Sequence, residues 1–151
     1  MAEFEQLYRG YLDHWHPLQD TRQFALFFAL ELGLLEAGGI GLVPDFCFAC
    51  GDSLVGADRA GVRASEGDIL CTRCVPVQVR WLDAATLADL QRLARTPLAA
   101  AASTWPELES RSRQQLGRLL HEHMSLHLPG YRLPQSLYWL APTREDQGTN
   151  R

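Results

Sequence analysis

Lysine is absent from this chain of 151 residues, and all 14 basic residues are arginine. GC-rich coding produces that pattern. So does selection for the planar guanidinium, which grips phosphate and carboxylate bidentately. No strongly basic block is present either. Residues 1–42 hold six acids and two arginines, residues 43–80 five acids and four arginines, and residues 106–151 five acids and six arginines. With a net charge of −4, no global field draws the chain onto nucleic acid. Long apolar runs are missing as well. The longest, FALFFALELGLL at residues 24–35, is shorter than a bilayer span and carries Glu31. The opening MAEFEQLYRG lacks the basic and apolar regions of a secretory signal. A soluble, cytoplasmic chain without a membrane partner is therefore expected.

The usual enzyme motifs are missing too. There is no G-x-G-x-x-G, no P-loop and no G-x-S-x-G. HEHMSLH fails as H-E-x-x-H, because Ser125 stands where the second histidine is needed. His123 and His127 lie one helical turn apart and could share a metal. The competing reading, surface or core-edge histidines on a long helix, is preferred. Nothing in the sequence argues for an enzyme.

What is present reads mostly as helix. Apolar residues make up 46% of the chain, enough for a core in a single domain of this length. Phe4, Leu7, Tyr8, Tyr11, Leu12 and Trp15 repeat at helical spacing up to Pro17. A second helix over residues 22–37 is apolar nearly all round and should be the central buried one. Gly38 or Gly39 can end it in the left-handed conformation. Helical pattern returns after Asp83, a plausible cap, with Leu87, Leu90 and Ala94. A last helix is predicted to start at Ser103 or Thr104, with Pro106, Glu107 and Glu109 in its first turn and Leu108, Leu116, Leu119, Leu120 and Met124 inward. Pro129-Gly130 ends it, a short apolar segment follows, and the polar tail 142–151 is expected to be disordered. The expected fold class is mainly α: a helical bundle with an inserted four-cysteine zinc ribbon. Residues 1–42 and 81–141 pack as one helical domain in this reading, with 43–80 as the insert.

The insert contains every cysteine of the chain. Cys47 and Cys50 form one C-x-x-C, and Cys71 and Cys74 form the other. Two such knuckles let four sulfurs point at one ion, the usual structural zinc site, and the spacer suits a zinc ribbon. Gly51 allows the tight turn after the first knuckle. GDIL before Cys71 reads as a turn and short strand. Disulfides are disfavoured in a reducing cytosol. A thioredoxin-like redox pair would need a βαβ context that is missing here. An iron–sulfur cluster stays open as an alternative. Four thiolates on one zinc leave no position for water or substrate, so one structural zinc per chain is expected.

The order of these features is specific. FALFFALELGLLEAGGIGLVPDFCFACG, EGDILCTRC and LLHEHMSLHLPGYRLPQSLYWL together resemble the C-terminal helical, zinc-finger part of the RecO family of bacterial repair mediators. The resemblance covers roughly residues 4–141. It implies DNA repair and recombination, binding of single- and double-stranded DNA, RecR-like and single-strand-binding proteins as partners, structural zinc, and a bacterial, nucleoid-associated location. Residues 1–42 read helical and offer no counterpart to the family's N-terminal oligonucleotide-binding barrel. Gln135 stands before Ser136 where the family often has lysine. Arg111, Arg118 and Arg132, with Tyr131, Tyr138 and Trp139 beside the last, are the candidates for contacting single-stranded DNA through phosphate and base stacking. The alternative is that these aromatics pack on the helices. An adaptor that binds only protein is the second functional reading.

Overall fold

The structure is a computed structural model. It describes residues 5–6, 22–63, 66–100 and 102–132. The helix expected over residues 4–15, the apolar segment past residue 132 and the tail 142–151 lie outside the described residues, apart from Glu5 and Gln6.

The first long element is α1, Arg22–Ala37, with the bounds expected from its apolar pattern. Leucine and alanine supply half of it, and both are strong helix formers. Ala25, Leu26, Phe28, Ala29, Leu30, Leu32 and Leu35 are buried. Glu31 sits among them, and burial pushes its carboxyl up to about 8. The helix ends in a Schellman motif. Gly39 takes φ +75°, its N–H donates to the Glu36 carbonyl at 2.9 Å, and the Ile40 N–H donates to Leu35 at 3.0 Å.

Three short strands follow: β1 (Arg59–Arg63), β2 (Asp68–Leu70) and β3 (Arg80–Asp83). They form an antiparallel sheet in the order β2-β1-β3, with Val62 opposite both Ile69 and Arg80. Ala60, Val62 and Leu82 are buried in the same apolar cluster as the helices. Helix α2, Ala84–Arg95, begins directly after β3, and the Asp83 carboxylate caps it by accepting from the Thr86 N–H at 2.8 Å. A 3-10 turn at Ala102–Thr104 leads to helix α3, Ser110–His127. Leu26, Leu35, Leu87, Leu90, Leu93, Leu116, Leu119 and Leu120 join the three helices in one core. Each such leucine contributes roughly 1.5–3 kcal/mol relative to exposure.

Two expectations need correction. The mainly α expectation holds only in part: the described residues add to the helices a three-stranded sheet, whose β2 is the short strand expected before Cys71, and β3 crosses into the region read as helical. Period-2 alternation cannot declare itself in a strand of four residues. The last helix also starts at Ser110, with Glu109 as its N-cap, rather than near Ser103. Trp105 is buried at 2% exposure, and Pro106 disfavours helical backbone at the residue before it. The chain therefore plugs the core with Trp105 and Leu108 before it coils.

Candidate metal centre

The loop that carries the first knuckle is fastened to α2 before it reaches Cys47. The Gln91 amide donates to the Pro44 carbonyl at 3.0 Å, and Arg95 Nε donates to the Asp45 carboxylate at 3.2 Å. A tight hairpin follows. The Cys47 N–H donates to Asp52 O at 2.8 Å, the Gly51 N–H to Cys47 O at 2.8 Å, and Phe46 bridges to Ser53. Gly51 takes φ +76°, the conformation for which a residue without Cβ is suited. The second knuckle leaves the end of β2, where the Cys74 N–H donates to Cys71 O at 3.0 Å. The Phe48 N–H donates to Ile69 O at 2.9 Å and stitches one knuckle to the strand leading into the other.

These turns bring four thiols from two distant parts of the chain together. The sulfurs of Cys47, Cys50, Cys71 and Cys74 all lie within 4.8 Å of one another, and Cys50 Sγ and Cys71 Sγ are 3.8 Å apart. A tetrahedral ion with metal–sulfur bonds of about 2.3 Å separates its sulfurs by about 3.8 Å. A disulfide would need about 2.05 Å, and none of the four is bonded to another. The donor set and its spacing therefore suit one tetrahedral, thiophilic ion.

The electrostatics favour a cation at the centre. Burial works against ionising Cys47, but the N–H groups of Cys71, Cys50 and Ala49 point at its sulfur and bring it down to about 6. Cys74 is pushed up to about 12, first by thiol contacts with Cys71 and Cys50 and then by burial. One negative charge is welcomed by the backbone, and the next is resisted by the first. A divalent metal removes that conflict, since it deprotonates its thiol ligands outright.

The candidate nucleic-acid residues lie apart from this cluster. Arg111 Nε pairs with Asp83 at 2.8 Å, and Arg118 Nε stands 3.9 Å from Glu122. Glu122 is also held by Arg80, whose Nη2 donates to Oε1 at 2.5 Å. Arg111 and Arg118 are seven residues apart on α3 and so share a face. Arg132 is exposed just beyond the helix. Tyr131 is half-buried, its ring 5.6 Å from that of His121, as the packed alternative expects. Tyr138 and Trp139 lie outside the described residues.

Sequence reasoning missed two features of the site. The Arg73 guanidinium donates to the Asp52 carboxylate, joining one knuckle to the other. Opposite charges just past Cys50 and Cys71 were the available signal. The second is a hydrogen bond of His123, the residue read as a surface or core-edge histidine: it is buried, and its Nε2–H donates to the Ile40 carbonyl at 2.6 Å. That nitrogen is committed to packing, not to a metal shared with His127.

Comparison with known proteins agrees with the order of these parts. The family model for recombination protein O, C terminal, matches residues 4–137. A DNA repair protein RecO from Anaeromyxobacter sp. (strain Fw109-5) is 32% identical over 108 residues, covering 69% of this chain and 42% of that protein. The DNA repair protein RecO of Anaeromyxobacter sp. (strain K) is 39% identical over 108 residues with the same coverage. The chain thus spans 42% of the length of these relatives. No solved structure matches it. By the extent of the family match, the chain belongs to the RecO family, over that family's C-terminal region.

Proposed function

We propose that this chain acts in DNA repair and homologous recombination as the C-terminal part of a RecO-type mediator. The observation that carries the reading is family membership joined to a four-thiol cluster at tetrahedral spacing. In this reading Cys47, Cys50, Cys71 and Cys74 hold one structural zinc. The metal fixes the ribbon and supplies no chemistry of its own. Zinc is chosen over iron because a single redox-silent ion suits four thiolates with no open position. A multi-iron cluster would hold the sulfurs further apart than one ion does. RecR-like and single-strand-binding proteins are the partners, and the location is the nucleoid within a bacterial cytoplasm. Among the described residues, no helix is long and apolar enough to cross a membrane.

Single-stranded DNA is the proposed nucleic-acid ligand, bound weakly through Arg111, Arg118 and Arg132. Arg111 and Arg118 each face a carboxylate, so a phosphate must compete for them. About three contacts give a salt slope of only about −2 on a single strand. Titration of a labelled single strand at two salt concentrations tests this. Weak binding that fades with salt, and weakens again in an Arg118→Ala, Arg132→Ala variant, is expected. Binding that survives salt or ignores both substitutions would count against these residues.

One observation favours the second reading, an adaptor that binds only protein. Val43, Phe46 and Phe48 are 65%, 52% and 68% exposed. They line a groove of about 420 Å³ with Gly67, His123 and His127. An exposed apolar cluster of this kind is the usual mark of a protein contact. Loss of partner binding in Phe48→Ser, with single-strand binding absent in every variant, would select the adaptor.

A further inference from the structure

The two knuckles are joined outside the thiol cluster by one ion pair. Asp52 lies two residues after Cys50, and Arg73 two residues after Cys71. The guanidinium of one donates to the carboxylate of the other. Cys50 and Cys71 also own the sulfurs that stand 3.8 Å apart. The ion pair therefore bridges the chain along the same edge of the tetrahedron. That edge includes the exposed thiol: Cys47 is buried, Cys71 and Cys74 are half-buried, and Cys50 is exposed.

We infer that the Asp52–Arg73 pair is a clasp that governs how fast the metal leaves and enters the four-cysteine site. The inference rests on the proposal that these thiolates hold zinc. Metal leaves such a site when water or a chelator displaces one thiolate, which requires one knuckle to swing from the other. Solvent reaches Cys50, the exposed thiol, so the first swing parts its knuckle from the one that carries Cys71. The clasp holds that edge closed from outside.

Charge supports the same assignment. Zinc with four thiolates carries a net −2, and Arg73 lies within the second knuckle, between Cys71 and Cys74. The other ribbon arginines are engaged elsewhere. Arg63 pairs with Asp68 and Glu66, Arg80 with Glu122, and Arg59 stacks on the Trp81 ring at 4.0 Å. Asp52 and Arg73 act as positioning residues here, since neither is proposed to touch the metal.

The test loads the full chain with zinc and follows its transfer to a chromogenic chelator at low and high salt. Wild type is compared with Asp52→Ala, Arg73→Ala and the exchanged pair Asp52→Arg with Arg73→Asp. Each single variant should release zinc about fivefold faster at low salt, the upper end for an exposed pair. High salt should speed wild type toward the single variants and leave those variants unchanged, because the pair is screened. The exchanged pair should restore slow release, which a merely loosened loop would not do. Single variants that release zinc no faster than wild type, or that share its salt response, overturn the clasp alone. A wild-type chain that takes up no zinc overturns the zinc reading and the clasp with it.

Discussion

His123 lies directly against Gly67: a β-carbon at residue 67 would stand 2.2 Å from His123 Nδ1. Gly67 also takes φ +71° in the turn between β1 and β2. One imidazole thus fastens three parts of the molecule. It projects from α3, covers the turn of the ribbon, and donates to Ile40 in the loop after α1. The sheet that carries the second knuckle is seated on the helices through this contact.

Gly67→Ala should therefore destabilise strongly. The added carbon meets the imidazole, and the backbone is held where L-residues are strained. A cost of about 2–4 kcal/mol is expected, the sum of overpacking and a strained φ. The urea midpoint measures it. A loss within the scatter of ordinary surface substitutions would mean that the His123 contact does not form.

The same histidine predicts a pH dependence. Burial pushes His123 below the ordinary histidine range; the Ile40 hydrogen bond opposes that shift, and His127 adds to it. Asp68 also faces it and opposes the shift. Its Nδ1 is buried without a partner, so the neutral ring is the form that fits. The unfolded chain takes up this proton at about pH 6.5, before the folded chain does. Stability from this group is thus present above pH 6.5 and lost as pH falls through the lowered folded value. Unfolding curves at several pH values should show this slope in wild type and lack it in His123→Gln.

Metal analysis of the full chain should find one zinc, and Cys50→Ser should abolish tight binding. Structural zinc is worth about 10–16 kcal/mol in isolated fingers. Here the helices bury Leu26, Leu35, Leu90, Leu116 and Leu120 on apolar faces that do not depend on the metal, so the helical signal should persist after metal loss. Hydrogen exchange should quicken over residues 43–80. Since all four thiols must ionise and Cys74 resists at about 12, affinity should drop as pH falls. A metal-replete, freshly reduced sample without zinc would count against the site.

The contact between α1 and α3 gives a paired prediction. Phe28 is 6% exposed and its ring lies over Gly117, where an added β-carbon would stand 3.8 Å from Cζ. That is ordinary packing distance, so alanine fits. Phe28→Ala should cost roughly 3–5 kcal/mol. Gly117→Ala should stabilise by up to about 1 kcal/mol, because alanine is the better helix former. Thermal unfolding of both variants checks the pair, and opposite signs are required.

The bounds of α1, the Asp83 cap, a left-handed glycine at 38 or 39, the left-handed Gly51, and the four sulfurs drawn to one point were legible in the sequence. Each is a local matter. A helix face, a cap or a knuckle is written in residues a few positions apart, and the two knuckles need only one common ion to bring them together. The RecO resemblance was legible for the same reason, since it rests on these local patterns in order. Only tertiary structure decided that β3 pairs with β1, that Trp105 is buried before α3 begins, and that Arg111 meets Asp83. It also decided that His123 lies on Gly67 and that Asp52 meets Arg73. The pairwise contacts among these join residues 18–56 positions apart. Apart from the opposite charges after Cys50 and Cys71, nothing in a neighbouring side chain announces such a partner. The pairing follows from which apolar faces are buried against each other, and the charges and small residues then meet whatever that packing sets opposite them.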